Sequence, residues 1–86
     1  MFTCQMWNRK NTKYEVETDD MDLAPDLYAN KYVKMEVGDV VFIEVIETCH
    51  LWRTEMIWSS FGKGYVSSLC SYQEAEDELA RRAKLN

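Results

Sequence analysis

Phe2, Cys4 and Met6 alternate with Thr3, Gln5 and Trp7 at the start of the chain. A period of two puts neighbouring side chains on opposite faces of a strand. Turn-forming residues follow in "NRKN" (8–11), and beyond them Tyr14 and Val16 alternate with Lys13, Glu15 and Glu17. The two runs predict a β-hairpin. Further on, "KYVKMEV" (31–37) places Val33, Met35 and Val37 on one face, and "VVFIEVIE" (40–47) places Val41, Ile43 and Val45 on one face with Phe42 and Ile46 opposite. The second of these strands is expected to be central, because both its faces are largely apolar. Then "LWRTEMIWSS" (51–60) sets Trp52, Thr54, Met56 and Trp58 against Leu51, Arg53, Glu55 and Ile57. "FGKG" (61–64) predicts a turn and "YVSSL" (65–69) a short last strand.

After Cys70 the period changes. Ser71 precedes Glu74 by three residues, the spacing of a capping box in which hydroxyl and carboxylate satisfy the unpaired N–H groups of a helix start. Tyr72, Ala75, Leu79 and Ala83 then form one stripe, and Asp77–Arg81 and Glu78–Arg82 are acid-first pairs four residues apart. A helix over 72–85 follows, with acids leading and bases ending it as its dipole prefers. Five or six short strands and one terminal helix define an α+β domain: a small antiparallel β-barrel or curled sheet covered by the helix. At 86 residues a single domain spanning 1–86 is expected, with its strands within 1–70.

Between the predicted hairpin and the central strand the pattern gives way to charge. Glu15, Glu17, Asp19, Asp20, Asp22 and Asp26 come with no base among them, a local charge of −6 in a chain whose net charge is −5. Residues 17–30 are expected to form a long ordered acidic loop with at most one helical turn. Pro25 fits the first turn of a short helix or a turn. Leu23, Leu27 and Tyr28 are expected to pin the loop to the body.

The Gly38-Asp39 pair between apolar runs admits two readings, a tight hairpin turn with φ > 0 at the glycine or a turn leading into a strand. The string "MEVGDVVFIEV" (35–45) resembles the segment that follows the long first loop of SH3-like barrels. The acidic stretch lies where those domains carry an acidic loop, Trp52 follows the Gly-Asp strand as a Trp does there, and "GKGYVSS" (62–68) resembles their closing segment. The resemblance covers Tyr14 to Ser68. It implies a barrel in which Gly38-Asp39 sets a turn. Where the family's peptide groove uses Pro, Asn and Tyr, this chain has Ser67, Leu69 and Cys70, so only the acidic loop and Trp52 carry over and proline-rich peptide binding is not implied.

The acidic balance excludes a surface built as a whole to neutralise phosphates. No apolar run reaches the length of a membrane span, and "MFTCQMWNRK" (1–10) lacks the basic start and apolar stretch of a signal peptide, so a cytoplasmic location is expected. Cys4, Cys49 and Cys70, odd in number and widely spaced, predict reduced and mostly buried thiols. With His50 they are the one set of residue types suited to zinc. Adjacent strand residues point to opposite faces, however, so Cys49 and His50 would converge on one ion only in an irregular loop, and no metal or cofactor is expected. Cys49-His50 adjacency likewise supplies no nucleophile–base geometry, and there is no phosphate-cradling glycine loop; catalysis is not expected.

Two functional readings remain. The first is a non-catalytic protein-interaction module, an inhibitor or adaptor. It binds a basic partner protein through Glu17, Asp19, Asp20, Asp22 and Asp26, with Tyr28 and Trp52 as apolar anchors. One specific form is a virus-encoded inhibitor presenting carboxylates in place of nucleic-acid phosphates. The second is a small nucleic-acid-binding barrel using Arg9, Lys10, Lys13, Trp7 and Tyr14.

Overall fold

A computed structural model describes residues 1–8, 15–32 and 34–84. Its strands are β1 (Phe2–Met6), β2 (Glu15–Thr18), β3 (Val40–Val45), β4 (His50–Ser59) and β5 (Gly62–Cys70). A 3-10 turn at Met21–Leu23 runs into α1 (Ala24–Tyr32), and α2 (Tyr72–Lys84) closes the described chain. The strands form one antiparallel sheet in the order β2-β1-β3-β4-β5, strongly curled into a half-barrel.

The topology follows from the alternating pattern. β1 pairs with β2 as a hairpin, Cys4 opposite Val16, and with β3 on its other side, Cys4 opposite Val45. Both β2 and β3 run antiparallel to β1, hence parallel to each other, and such a pair needs a crossover rather than a tight turn. α1 is that crossover, lying across the face that carries Cys4, Val16, Ile43 and Val45. β3 is central as expected, with Phe42 buried on one face and Val41, Ile43 and Val45 on the other.

Residues 17–30 are therefore not a loop. Asp20 caps the 3-10 turn, its carboxylate accepting from Asp22 N–H at 3.0 Å, and the Thr18 hydroxyl bonds the Asp20 backbone on both sides. Pro25 sits in the first turn of α1, where its missing N–H costs no hydrogen bond. Ala24, Pro25, Tyr28 and Ala29 are buried and hold the helix to the sheet. Leu23 and Leu27, expected to pin this segment, point outward instead.

The strand expected over 31–37 is also absent among the described residues, since α1 runs on to Tyr32 and both long sides of β3 are already taken by β1 and β4. Met35 from this stretch still enters the core, without a ladder. Gly38-Asp39 is a turn leading into a strand. Asp39 N–H donates to Glu36 C=O at 2.9 Å, the Asp39 carboxylate accepts from Glu36 N–H at 2.8 Å, and Gly38 has φ +96°. Only glycine adopts that value without strain.

α2 lies on the opposite face, over Phe42 and Leu51, with Ala75 buried and Leu79, Trp7, Val40 and Cys70 packed around them. Its predicted cap is present: the Ser71 hydroxyl accepts from Glu74 N–H at 3.1 Å. Of the two expected charge pairs, Glu78–Arg82 forms at 3.0 Å, whereas Asp77 accepts from Gln73. β5 spans nine residues rather than the five expected, because Gly62, Lys63 and Gly64 join the ladder with Ser59, Trp58 and Ile57, and Cys70 pairs with Leu51.

Candidate functional site

The acids named from the sequence are exposed where the structure describes them: Glu17 on the edge strand β2, Asp19 and Asp20 at the helix approach, Asp22 in the 3-10 turn and Asp26 in α1. They share this region with Leu23 and Leu27, which are 51% and 42% exposed and one helical turn apart. Residues four apart on a helix lie on one face. The outer side of this segment thus carries two apolar side chains among carboxylates, while Ala24, Tyr28 and Ala29 bind it to the sheet from beneath.

The two expected aromatic anchors lie elsewhere. Tyr28 is 0% exposed and belongs to the core, because the helical spacing from Ala24 turns it inward. Trp52 lies half buried against the same core, opposite Ile43 on β3 and Leu69 on β5, with its indole N–H buried. The solvent-facing tryptophan is Trp58, at the far end of β4. The exposed apolar side chains beside the acids are instead Leu23 and Leu27. A helical reading of 21–32 would have found them, since it puts both leucines on a ridge beside that of Ala24 and Tyr28, away from the sheet.

Glu47 was not among the candidates, and only the fold brings it near them. The β3–β4 connection reaches back to the 3-10 turn, where the Thr48 hydroxyl donates to Met21 Sδ at 3.3 Å. Both Glu47 carboxylate oxygens accept from Thr3 N–H at 2.8 Å, and this hydrogen bond holds the carboxyl below its ordinary range, so the group stays charged. The acidic end of the molecule is thereby extended beyond the contiguous run.

A second set of polar groups ties α2 to the sheet. Arg53 on β4 grips Glu78 of α2 through Nε (2.7 Å) and Nη2 (3.3 Å) and also pairs with Glu55 at 2.8 Å; Arg82 adds a second bond to Glu78 and reaches the Gly38 carbonyl at 3.3 Å. Burial pushes the Glu78 carboxyl upward, but the two guanidinium groups outweigh it and hold it below the usual carboxylate range. Tyr72 donates to Glu44, which also accepts from Gln5, and Trp7 packs edge-on against the Tyr72 ring at 5.4 Å. Trp7, a candidate for base stacking, is thus held under α2. Its proposed companions Arg9, Lys10, Lys13 and Tyr14 lie outside the described residues.

Among the described residues no three metal-ligating side chains come together. Cys4, Cys49 and Cys70 are free thiols, Cys4 buried and Cys49 exposed, the latter contrary to the expectation of mostly buried cysteines. Burial, aided by the charge of Glu47, pushes the Cys4 thiol up to about 11, so it is an inert core group rather than a nucleophile. No described helix is long and apolar enough to cross a membrane. Compared with known proteins, the chain matches no family model, no curated protein and no solved structure. Any functional reading must come from its own surface.

Proposed function

We propose that this chain is a small acidic protein-interaction module whose working surface is the outer side of the 3-10 turn and α1. The observation that carries this reading is the pairing of exposed Leu23 and Leu27 with exposed Asp19, Asp22 and Asp26 on a segment anchored from beneath by Ala24, Tyr28 and Ala29. Carboxylates steer a basic surface into register and raise the association rate, while desolvation of apolar side chains at the centre supplies most of the affinity. A buried tyrosine and a capped turn hold the segment in place before binding, which lowers the ordering cost.

The partner class is a protein with a basic surface. Within that class, an inhibitor that occupies a nucleic-acid site with carboxylates in place of phosphates fits the charge, and an adaptor fits it equally. An SH3-like ancestry adds nothing to either, because the reading rests on α1 rather than on a groove beside Trp52.

The test compares the native chain with two variants in capture from nuclease-treated lysate, followed by kinetics on the purified basic partner. Asp19→Asn, Asp22→Asn and Asp26→Asn together remove three charges, taking the net from −5 to −2, and leave the Asp20 cap intact. This variant is expected to slow association by about tenfold or more and flatten its salt dependence. Leu23→Ser with Leu27→Ser is expected to speed dissociation instead. Retention of the same partner at the same rates by both variants would end the proposal.

A further inference from the structure

The two edges of the sheet are built differently. β2 is four residues long and carries Glu15 and Glu17 in its sequence, the short, charged design that discourages pairing with another chain. β5 is nine residues long, contains no proline and no acid, and has Lys63 as its one charged residue. Among the described residues, no strand neighbours its outer row of backbone groups. Around it lie Trp58, Val66 and Leu69, 68%, 50% and 54% exposed, and Phe61, fully exposed at the β4–β5 turn.

We propose that β5 pairs antiparallel with β5 of a second copy of this chain, about Val66, joining two half-barrel sheets into one. A two-fold contact needs a self-complementary patch, and an antiparallel edge pairing is self-complementary by construction. Centred on Val66, it sets Val66 against its own copy, Tyr65 against Ser67, Gly64 against Ser68 and Lys63 against Leu69. No like charges meet. At a net charge of −5 per chain two copies repel over most of their surface, and β5 is a region with no acid of its own. Glu55, which neighbours Val66 across β4, already has its charge met by Arg53 at 2.8 Å.

The area is sufficient for a modest interface. An aromatic side chain offers roughly 150–250 Å² for burial. The four exposed apolar side chains on each of two copies therefore present on the order of 1,000 Å², about what a specific contact must clear. The lysine stem at position 63 covers Leu69 of the copy while its ammonium stays in water.

Sedimentation velocity of the full chain under reducing conditions, at about 10 and 200 micromolar, tests this. The expected result is a rise toward twice the 10.2 kDa monomer mass with concentration. Val66→Lys puts two lysines face to face, and Leu69→Lys puts a lysine against Lys63; each is expected to weaken association at least tenfold. Both side chains are half exposed, so circular dichroism is expected to stay native, and amide exchange in β5 is expected to slow with concentration in the native chain alone. A native chain that stays monomeric at both concentrations overturns the proposal, as does a dimer that survives both substitutions.

Discussion

α1 and α2 cover opposite faces of one sheet, and different forces hold them. Under α1 the contact is largely apolar: Ala24, Tyr28 and Ala29 meet Cys4, Val16, Ile43 and Val45, with the Thr54–Ser67 hydroxyl pair at 2.9 Å as a polar contact on that side. Under α2 the buried helix residues are Ala75 and Glu78, and the docking runs through Arg53–Glu78–Arg82 and Tyr72–Glu44–Gln5 as much as through Phe42 and Leu51. Burial is non-directional and survives changes of pH, whereas charge-assisted hydrogen bonds fix orientation and depend on protonation. The sheet is thus held by an apolar lid on one side and a titratable latch on the other.

The largest expected effect tests the lid. Tyr28→Ala removes a fully buried aromatic and is expected to cost about 3–5 kcal/mol, a large part of the roughly 5–15 kcal/mol that holds a domain folded. Leu79→Ala under α2 removes a half-buried side chain and is expected to cost about 1 kcal/mol. Urea midpoints followed by tryptophan fluorescence measure both, and equal losses would contradict the contrast between the faces.

The latch is tested next. Glu78→Gln is expected to cost about 2 kcal/mol at neutral pH, since a neutral amide replaces a carboxylate shared by two guanidinium groups. The folded state holds this carboxyl below its ordinary value of 4.5, so its contribution is present above that pH and is lost as pH falls through the lower folded value. Native stability is accordingly expected to drop on acidification more steeply than that of Glu78→Gln. Glu47, lowered in the same direction, is retained in both proteins and cancels in the difference. Parallel acid slopes would show that the latch is not Glu78.

These two helices also show what a sequence discloses. α2 was legible because its signals are local: a Ser71 cap, acids then bases, and an apolar stripe four residues apart. α1 was not, because its stripe is Ala24, Tyr28 and Ala29, small residues around one aromatic, interrupted by Pro25 and diluted by acids; its stability comes from the sheet beneath it. Of the three side chains expected to pin this segment, Tyr28 does so, while the helix turns Leu23 and Leu27 outward and leaves Tyr28 no exposed surface for the anchor role. The β1–β2 hairpin and the central β3 were legible from period two alone. The 31–37 stretch shares that period but has no side of β3 to join, since β1 and β4 already flank it. The acids of the candidate site were plain in the sequence, whereas Glu47 joins them only through the Thr48–Met21 contact.

Raising the pH tests a single group under α1, because Cys70 and Tyr72 on the α2 side, raised in the same direction, are retained in both the native chain and Cys4→Ala and cancel in the difference. Cys4 lies under α1, and its folded-state thiol is raised from 9.0 to about 11, so the stability it contributes is present below 9 and is lost as pH rises toward 11. The loss is expected to reach at most about 3 kcal/mol. Cys4→Ala is expected to be less stable at neutral pH, by about 1 kcal/mol, yet flatter between pH 9 and 11. An unchanged alkaline slope would exclude the thiol as its origin.

The smallest expected effect concerns two left-handed positions at the ends of β3, filled differently. Gly38 takes φ +96° in the turn before β3, and Cys49 takes φ +56° in the turn after it, where its N–H donates to Ile46 C=O at 3.4 Å. A side chain at such a position sits close to the following carbonyl, at a cost of about 1–2 kcal/mol that glycine avoids. The Cys49 side chain is exposed and its thiol makes only a long 3.8 Å contact to the Ile46 carbonyl, so little packing offsets that cost. Cys49→Gly is therefore expected to stabilise the protein by about 0.5–1 kcal/mol, part of the relief being returned as the greater chain entropy of glycine when unfolded. Gly38→Ala is expected to destabilise it by about 1 kcal/mol through backbone strain alone, because a Cβ there meets nothing within 4 Å. Chemical denaturation of both under reducing conditions checks the pair: opposite signs confirm that backbone conformation governs both turns, and a loss on Cys49→Gly would mean that its thiol holds the β3–β4 connection in place.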